Sequence, residues 1–203
     1  MQLPKTTAAP HSRVRYGRYL ARRLRRDKRT QLADDVTAVT NSLRQAAREW
    51  DDTDDGTQEA LADRDAADDD LDVTAQEARN TLAGRSVEAV KEAPYTLIFP
   101  NGISYYTAAP LDEEVKRYGE LSVRLTEHLD PTDPVRKKAV KAIAAGIDAF
   151  KAGATAVDDA RTAESLATTR LAKATDAWTK QMEKTYGALV TEVGRAAADR
   201  FFP

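Results

Sequence analysis

The residues best spaced to do chemistry in this sequence are arginines. Arg15, Arg18, Arg22, Arg25, Arg26 and Arg29 follow one another at steps of three, four or one, so that on a helix they form one basic stripe, beside an apolar line of Tyr16, Leu20 and Leu24. No acidic residue occurs between Met1 and Arg26. A stripe of this kind follows the phosphates of a nucleic acid, lies on an anionic membrane surface, or serves as a solvated helix face. A second concentration is aromatic: Tyr95, Phe99, Tyr105 and Tyr106, around Asn101 and Gly102, gather four of the thirteen aromatic residues in one short segment. These five, Tyr95, Phe99, Asn101, Tyr105 and Tyr106, make either an interaction tip or a plug packed on the following helix.

Catalytic chemistry has little to work with. Cysteine is absent and His11 and His128 are the two histidines. Thiol catalysis, disulfides and cysteine-based metal centres are thereby removed. Neither histidine has a glutamate three residues before it, which removes the carboxylate-bundle di-iron pattern. Phosphate-loop, dinucleotide, hydrolase-elbow and zinc-protease signatures are missing as well. The segment 51–62 imitates a calcium loop at Asp51, Asp55, Gly56 and Glu59, but Thr53 and Ala62 stand where the third and twelfth ligands belong. The sequence therefore leads us to expect no enzyme, no metal and no cofactor.

The elements that would position these residues are helices. Leu32, Val36, Val39, Leu43, Ala46 and Trp50 recur at helical spacing, and the rhythm resumes at Leu61, Leu71, Ala75, Ala78 and Leu82. Between them lies an acidic stretch, 51–72, with eleven carboxylates and the single cation Arg64; continuing the seam through it places Asp54, Thr57, Arg64 and Asp68 inward. Gly56 costs roughly 1 kcal/mol relative to alanine in a helix, which marks 51–56 as a hinge. After Pro94 the β-prone arms 95–99 and 103–107 flank a Pro-Asn-Gly turn. A helix over 111–129 carries Leu111, Val115, Tyr118, Leu121, Leu125 and Leu129 on one face, and Asp133 before Pro134 is a helix start. A second long helical pattern then runs to the C-terminus through Ile143, Phe150, Val157, Leu171, Trp178, Met182 and Leu189.

This reading is an all-α fold: an elongated, coiled-coil-like antiparallel hairpin of two helices, each on the order of 100 Å long. Its parts are an N-terminal tail (1–11), a first long helix (12–84), a tip connector of β-turn and short helix (85–133), and a second long helix (134–203). A four-helix bundle, folded at Gly56 and near Gly153, is the alternative. In the hairpin the acidic stretch opposes the alanine-rich 147–168. No run of 18 apolar residues and no secretory leader is visible, which leads us to expect a cytoplasmic protein with no transmembrane segment. The expected function is a non-catalytic scaffold for protein partners or for copies of itself, with nucleic acid or an anionic membrane surface as the alternative partner of the arginine stripe.

Overall fold

The structure, a computed structural model, describes residues 3–5 and 7–203. These residues form seven α-helices and one 3-10 turn, with no strand among them: α1 (Pro10–Arg26), α2 (Thr30–Ala83), the 3-10 turn Ala89–Lys91, α3 (Tyr95–Ile98), α4 (Ser104–Thr107), α5 (Glu114–His128), α6 (Pro134–Val193) and α7 (Arg195–Asp199). The long helices α2 and α6 pack against each other, as an all-α hairpin requires. Among the described residues no helix is long and apolar enough to cross a membrane.

Two compact units divide the chain, one of Met1–Gly56 with Arg161–Pro203 and one of Thr57–Ala160. The first holds α1, the start of α2, the end of α6 and α7. Leu20, Leu24, Val36, Leu43, Trp178, Met182, Leu189 and Phe202 form its core. Gly17 of α1 allows the closest approach in it: a Cβ there would lie 2.2 Å from Thr40 Oγ1 and 2.9 Å from Trp178 Nε1, the two atoms that make a 3.3 Å hydrogen bond with the indole donating.

In the second unit, Leu71, Leu82, Ile98, Phe99, Tyr106, Tyr118, Leu121, Leu125, Ile143 and Phe150 form the core. Here α2 and α6 run antiparallel at glycine-sized separation. A Cβ on Gly146 would meet Leu71 Cδ2 at 2.6 Å and one on Gly153 would meet Arg64 Cα at 2.9 Å, a step of one heptad back along α2 for one heptad forward along α6. Thr57 and Ala67 are buried on the same seam. Arg85, just past α2, donates to both oxygens of Asp133, at 2.8 and 2.7 Å, and so joins the two ends of the 85–133 connector. Asp133 also accepts the Val135 amide at 2.8 Å, the N-cap of α6.

Four expectations are corrected. The first helix is interrupted at 27–29, where Lys28 takes a left-handed conformation (φ 59°). The Arg29 amide reaches back to Leu24 O (3.0 Å) and the Lys28 amide to Arg25 O (3.1 Å), the paired bonds of a Schellman stop with lysine in the place usually held by glycine. Conversely, α2 is helical throughout 51–56, so no helix break and no calcium loop form there, and α6 is likewise helical through Gly153. The β-prone arms are single helical turns, α3 and α4. A lone two-stranded hairpin has no sheet to complete, whereas one turn each buries Ile98, Phe99 and Tyr106 together. The last helix stops at Val193, because Gly194 (φ 76°) redirects the chain into α7.

Candidate functional site

The break at 27–29 decides where the arginines go. It turns α1 back along α2, so that Arg25 pairs with Asp34 at 2.8 Å and Gly17 lies against Thr40. Arg15 and Arg18 are thereby brought to Arg44 and Arg48 of α2. Together with Pro10, His11, Val14, Ala47, Trp50 and Asp51 these four line a groove of about 340 Å³. A second groove of about 180 Å³ shares Arg18 and continues along the same pair of helices past Arg22, Arg25, Thr37 and Asn41.

This face is positively charged and poorly neutralised. Arg15, Arg18, Arg22, Arg44 and Arg48 are exposed, and none of them is paired with a carboxylate among the described residues. Repulsion by Arg48 first and Arg18 next holds the Arg44 guanidinium below its ordinary range. Two other arginines of the sequence stripe are used differently. Arg29 is ion-paired with Asp27 (2.6 Å) and Glu192 and lies 5.6 Å over the Phe201 ring, which makes it a tie from the α1–α2 turn to the end of α6 and the segment after α7. Arg26 is exposed outside both grooves. Arg13 is buried and donates to Ala8 O and Lys5 O. The sequence alone does not join Arg44 and Arg48 to the stripe, and it gives Trp50 only a place on the apolar seam, because a helix continuous from Ser12 keeps them some 40 Å of helix away from Arg18.

The aromatic segment is spent on packing. Phe99 and Tyr106 are buried, and Tyr95, Phe99, Tyr106 and Tyr118 form a chain of ring contacts with centroids 5.5 to 6.3 Å apart. The Tyr106 hydroxyl donates to Ile98 O at 3.0 Å, closing α4 onto α3. Tyr105 donates to Glu120 (2.9 Å) and sits beneath the Arg117 guanidinium (4.6 Å). Tyr95 receives a hydrogen bond from Arg79 Nε at 3.2 Å. Asn101 remains exposed at the turn.

One group of side chains is brought together only by the fold. Asp68 and Asp72, one turn apart on α2, meet Glu114 in the first turn of α5, with one carboxylate oxygen of each within 4.8 Å of the others. Glu114 is only 2% exposed. Its Oε1 has no hydrogen-bond partner. Burial first, then the bond and charge of Asp68 and the charge of Asp72, push its carboxyl up to about 8. Tyr118, one turn further along α5, donates to Asp72 Oδ1 at 2.6 Å. Burial and this bond to an anion raise the phenol, while burial raises the Asp72 carboxyl against the lowering effect of the Tyr118 bond. The signal is present in part: the seam places Asp68 inward, but the apolar face of the helix expected over 111–129 runs through Leu111, which is exposed, instead of through Glu114.

Compared with protein-family models, with curated proteins and with solved structures, the chain matches none of them.

Proposed function

We propose that this chain is a non-catalytic, cytoplasmic helical scaffold whose α1–α2 face holds a single-stranded nucleic acid. The observation that carries the reading is the unneutralised arginine face: five exposed guanidinium groups from two helices around two grooves that share Arg18, with Arg48 and Arg18 repelling Arg44. Like charges gathered without counter-charges cost stability, and a polyanion recovers that cost by neutralising them and releasing its own counterions. Arg15, Arg18, Arg22 and Arg25 span about 15 Å along α1, a distance that suits consecutive phosphates. Trp50 in the wall of the larger groove adds an aromatic surface on which a base can stack, and it is this ring that favours an unpaired strand over a duplex or a lipid surface. Lipid binding would call for a broad apolar flank beside the arginines, and Val14, Leu20, Ala21 and Leu24 are instead buried in the core.

The test compares the unaltered chain with R18Q/R22Q/R44Q by fluorescence anisotropy, using a labelled 20-nucleotide single strand and, in parallel, anionic vesicles. The reading expects micromolar binding to the oligonucleotide that weakens about 10-fold or more in the variant, with circular dichroism unchanged. Equal binding by both proteins, or a preference for the vesicles, contradicts it.

A further inference from the structure

The carboxylate group in the second unit points to a different ligand. We propose that Asp68, Asp72 and Glu114 form a binding site for one hard divalent cation of the Mg²⁺, Mn²⁺ or Ca²⁺ class. Oxygens within 4.8 Å of one another fit around a single ion, since metal–oxygen bonds of roughly 2.0–2.6 Å place ligands on opposite sides of it about 4–5 Å apart. The second observation is the orphaned oxygen. Glu114 is 98% buried, yet its Oε1 meets no donor. An unsatisfied acceptor in the interior costs on the order of 1–3 kcal/mol, more when charged. A proton shared with Asp68 would satisfy one carboxyl oxygen and leave Oε1 as it is.

The charge of Arg117 acts on Glu114 and lowers its carboxyl, but by less than burial and the two aspartates raise it. Its guanidinium donates to Tyr105 O (2.8 Å), lies over the Tyr105 ring and stands 3.9 Å from Glu113, one turn back along α5, while its buried Nε makes no hydrogen bond. The donor set is all oxygen, which selects hard ions and excludes those that prefer imidazole or thiolate. Tyr118 supplies the outer support common around such sites: its 2.6 Å bond fixes one oxygen of Asp72 and leaves the other for the ion. Carboxylate oxygens with several waters completing an octahedral shell is the coordination that Mg²⁺ favours. This site lies in a different unit from the arginine face, and its existence is independent of the nucleic-acid reading.

The experiment titrates the full chain with MnCl₂ at pH 8.5 and reads free Mn²⁺ by its electron paramagnetic resonance signal. One ion is expected per chain with a Kd of about 10⁻⁴ M or tighter. Binding should weaken by at least about 10-fold in both E114Q and D72N, and stay unchanged in D63N, which removes an exposed carboxylate of the same acidic stretch. Circular dichroism establishes that each variant is folded; should E114Q unfold, D72N decides. Absence of stoichiometric binding up to 5 mM (roughly the weak limit for specific sites), or binding that D72N leaves as strong as before, overturns the proposal, the latter by revealing diffuse attraction to acidic surface.

Discussion

At the scale of single residues, Glu114 and Lys28 each take a conformation or protonation that costs the chain something, and each cost is measurable. Glu114 has its carboxyl raised to about 8 from an ordinary 4.5. In cation-free buffer the folded chain keeps a proton there that the unfolded chain releases, so this group's contribution to stability is full below about pH 4.5. It declines as pH rises toward 8 and changes no further above that. The slope in this window is at most about 1.4 kcal/mol per pH unit. Urea midpoints measured with a chelator present should fall between pH 5 and 8, and E114Q should remove that part of the slope; an identical slope in E114Q would contradict the assignment. Lys28 holds a left-handed backbone (φ 59°) at an exposed helix stop. Lys28→Gly should therefore raise stability by roughly 0.5–1 kcal/mol, seen as a higher urea midpoint with the same slope. A loss of stability would mean that the turn is held by lysine contacts instead of by its backbone.

Elements obey a different logic, in which the same residue type has opposite value at two places. Gly56 lies in the interior of α2 with nothing within 4 Å of an added Cβ. Gly153 lies in the interior of α6 with Arg64 Cα 2.9 Å from that position. Gly56→Ala should stabilise by up to about 1 kcal/mol through helix propensity alone. Gly153→Ala should destabilise by roughly 1–3 kcal/mol, because two backbones must separate to admit one methyl group. Thermal denaturation of the two variants side by side checks the pair; shifts of the same sign would mean that α2 and α6 do not approach at this register. The sequence reading marked Gly56 as a hinge on propensity, and propensity was outweighed. Helix formers such as Gln58, Ala60, Leu61 and Ala62, with buried Thr57 and Ala67 on the α6 side, carry α2 straight through the acidic stretch.

Over the whole molecule, what was legible depended on whether the signal repeats. The two long helical tracts repeat their apolar spacing many times, so the all-α class and the opposition of 51–72 to the alanine-rich 147–168 could be read from the sequence alone, and Arg64 against Gly153 lies in that register. Features that depend on one residue were missed. No glycine stands at position 28 to announce a stop, so the apolar spacing alone continues the first helix through Lys28. The composition of 95–107 is strand-like, yet two helical turns bury Ile98, Phe99 and Tyr106 equally well. Both candidate ligand sites follow from such single points. The turn at Lys28 brings Arg44 and Arg48 to the stripe on α1, and the start of α5 at Glu114 places a carboxylate over Asp68 and Asp72.

The claim on which the functional account rests is that Arg18, Arg22 and Arg44 act together on one anionic strand. Its most direct measurement is the salt dependence of single-strand binding, as log K against log salt concentration, for the unaltered chain and for R18Q/R22Q/R44Q. Each phosphate neutralised contributes about 0.7 to the slope for a single strand. The account predicts that the variant's slope is shallower by about 2; parallel lines for the two proteins would contradict it.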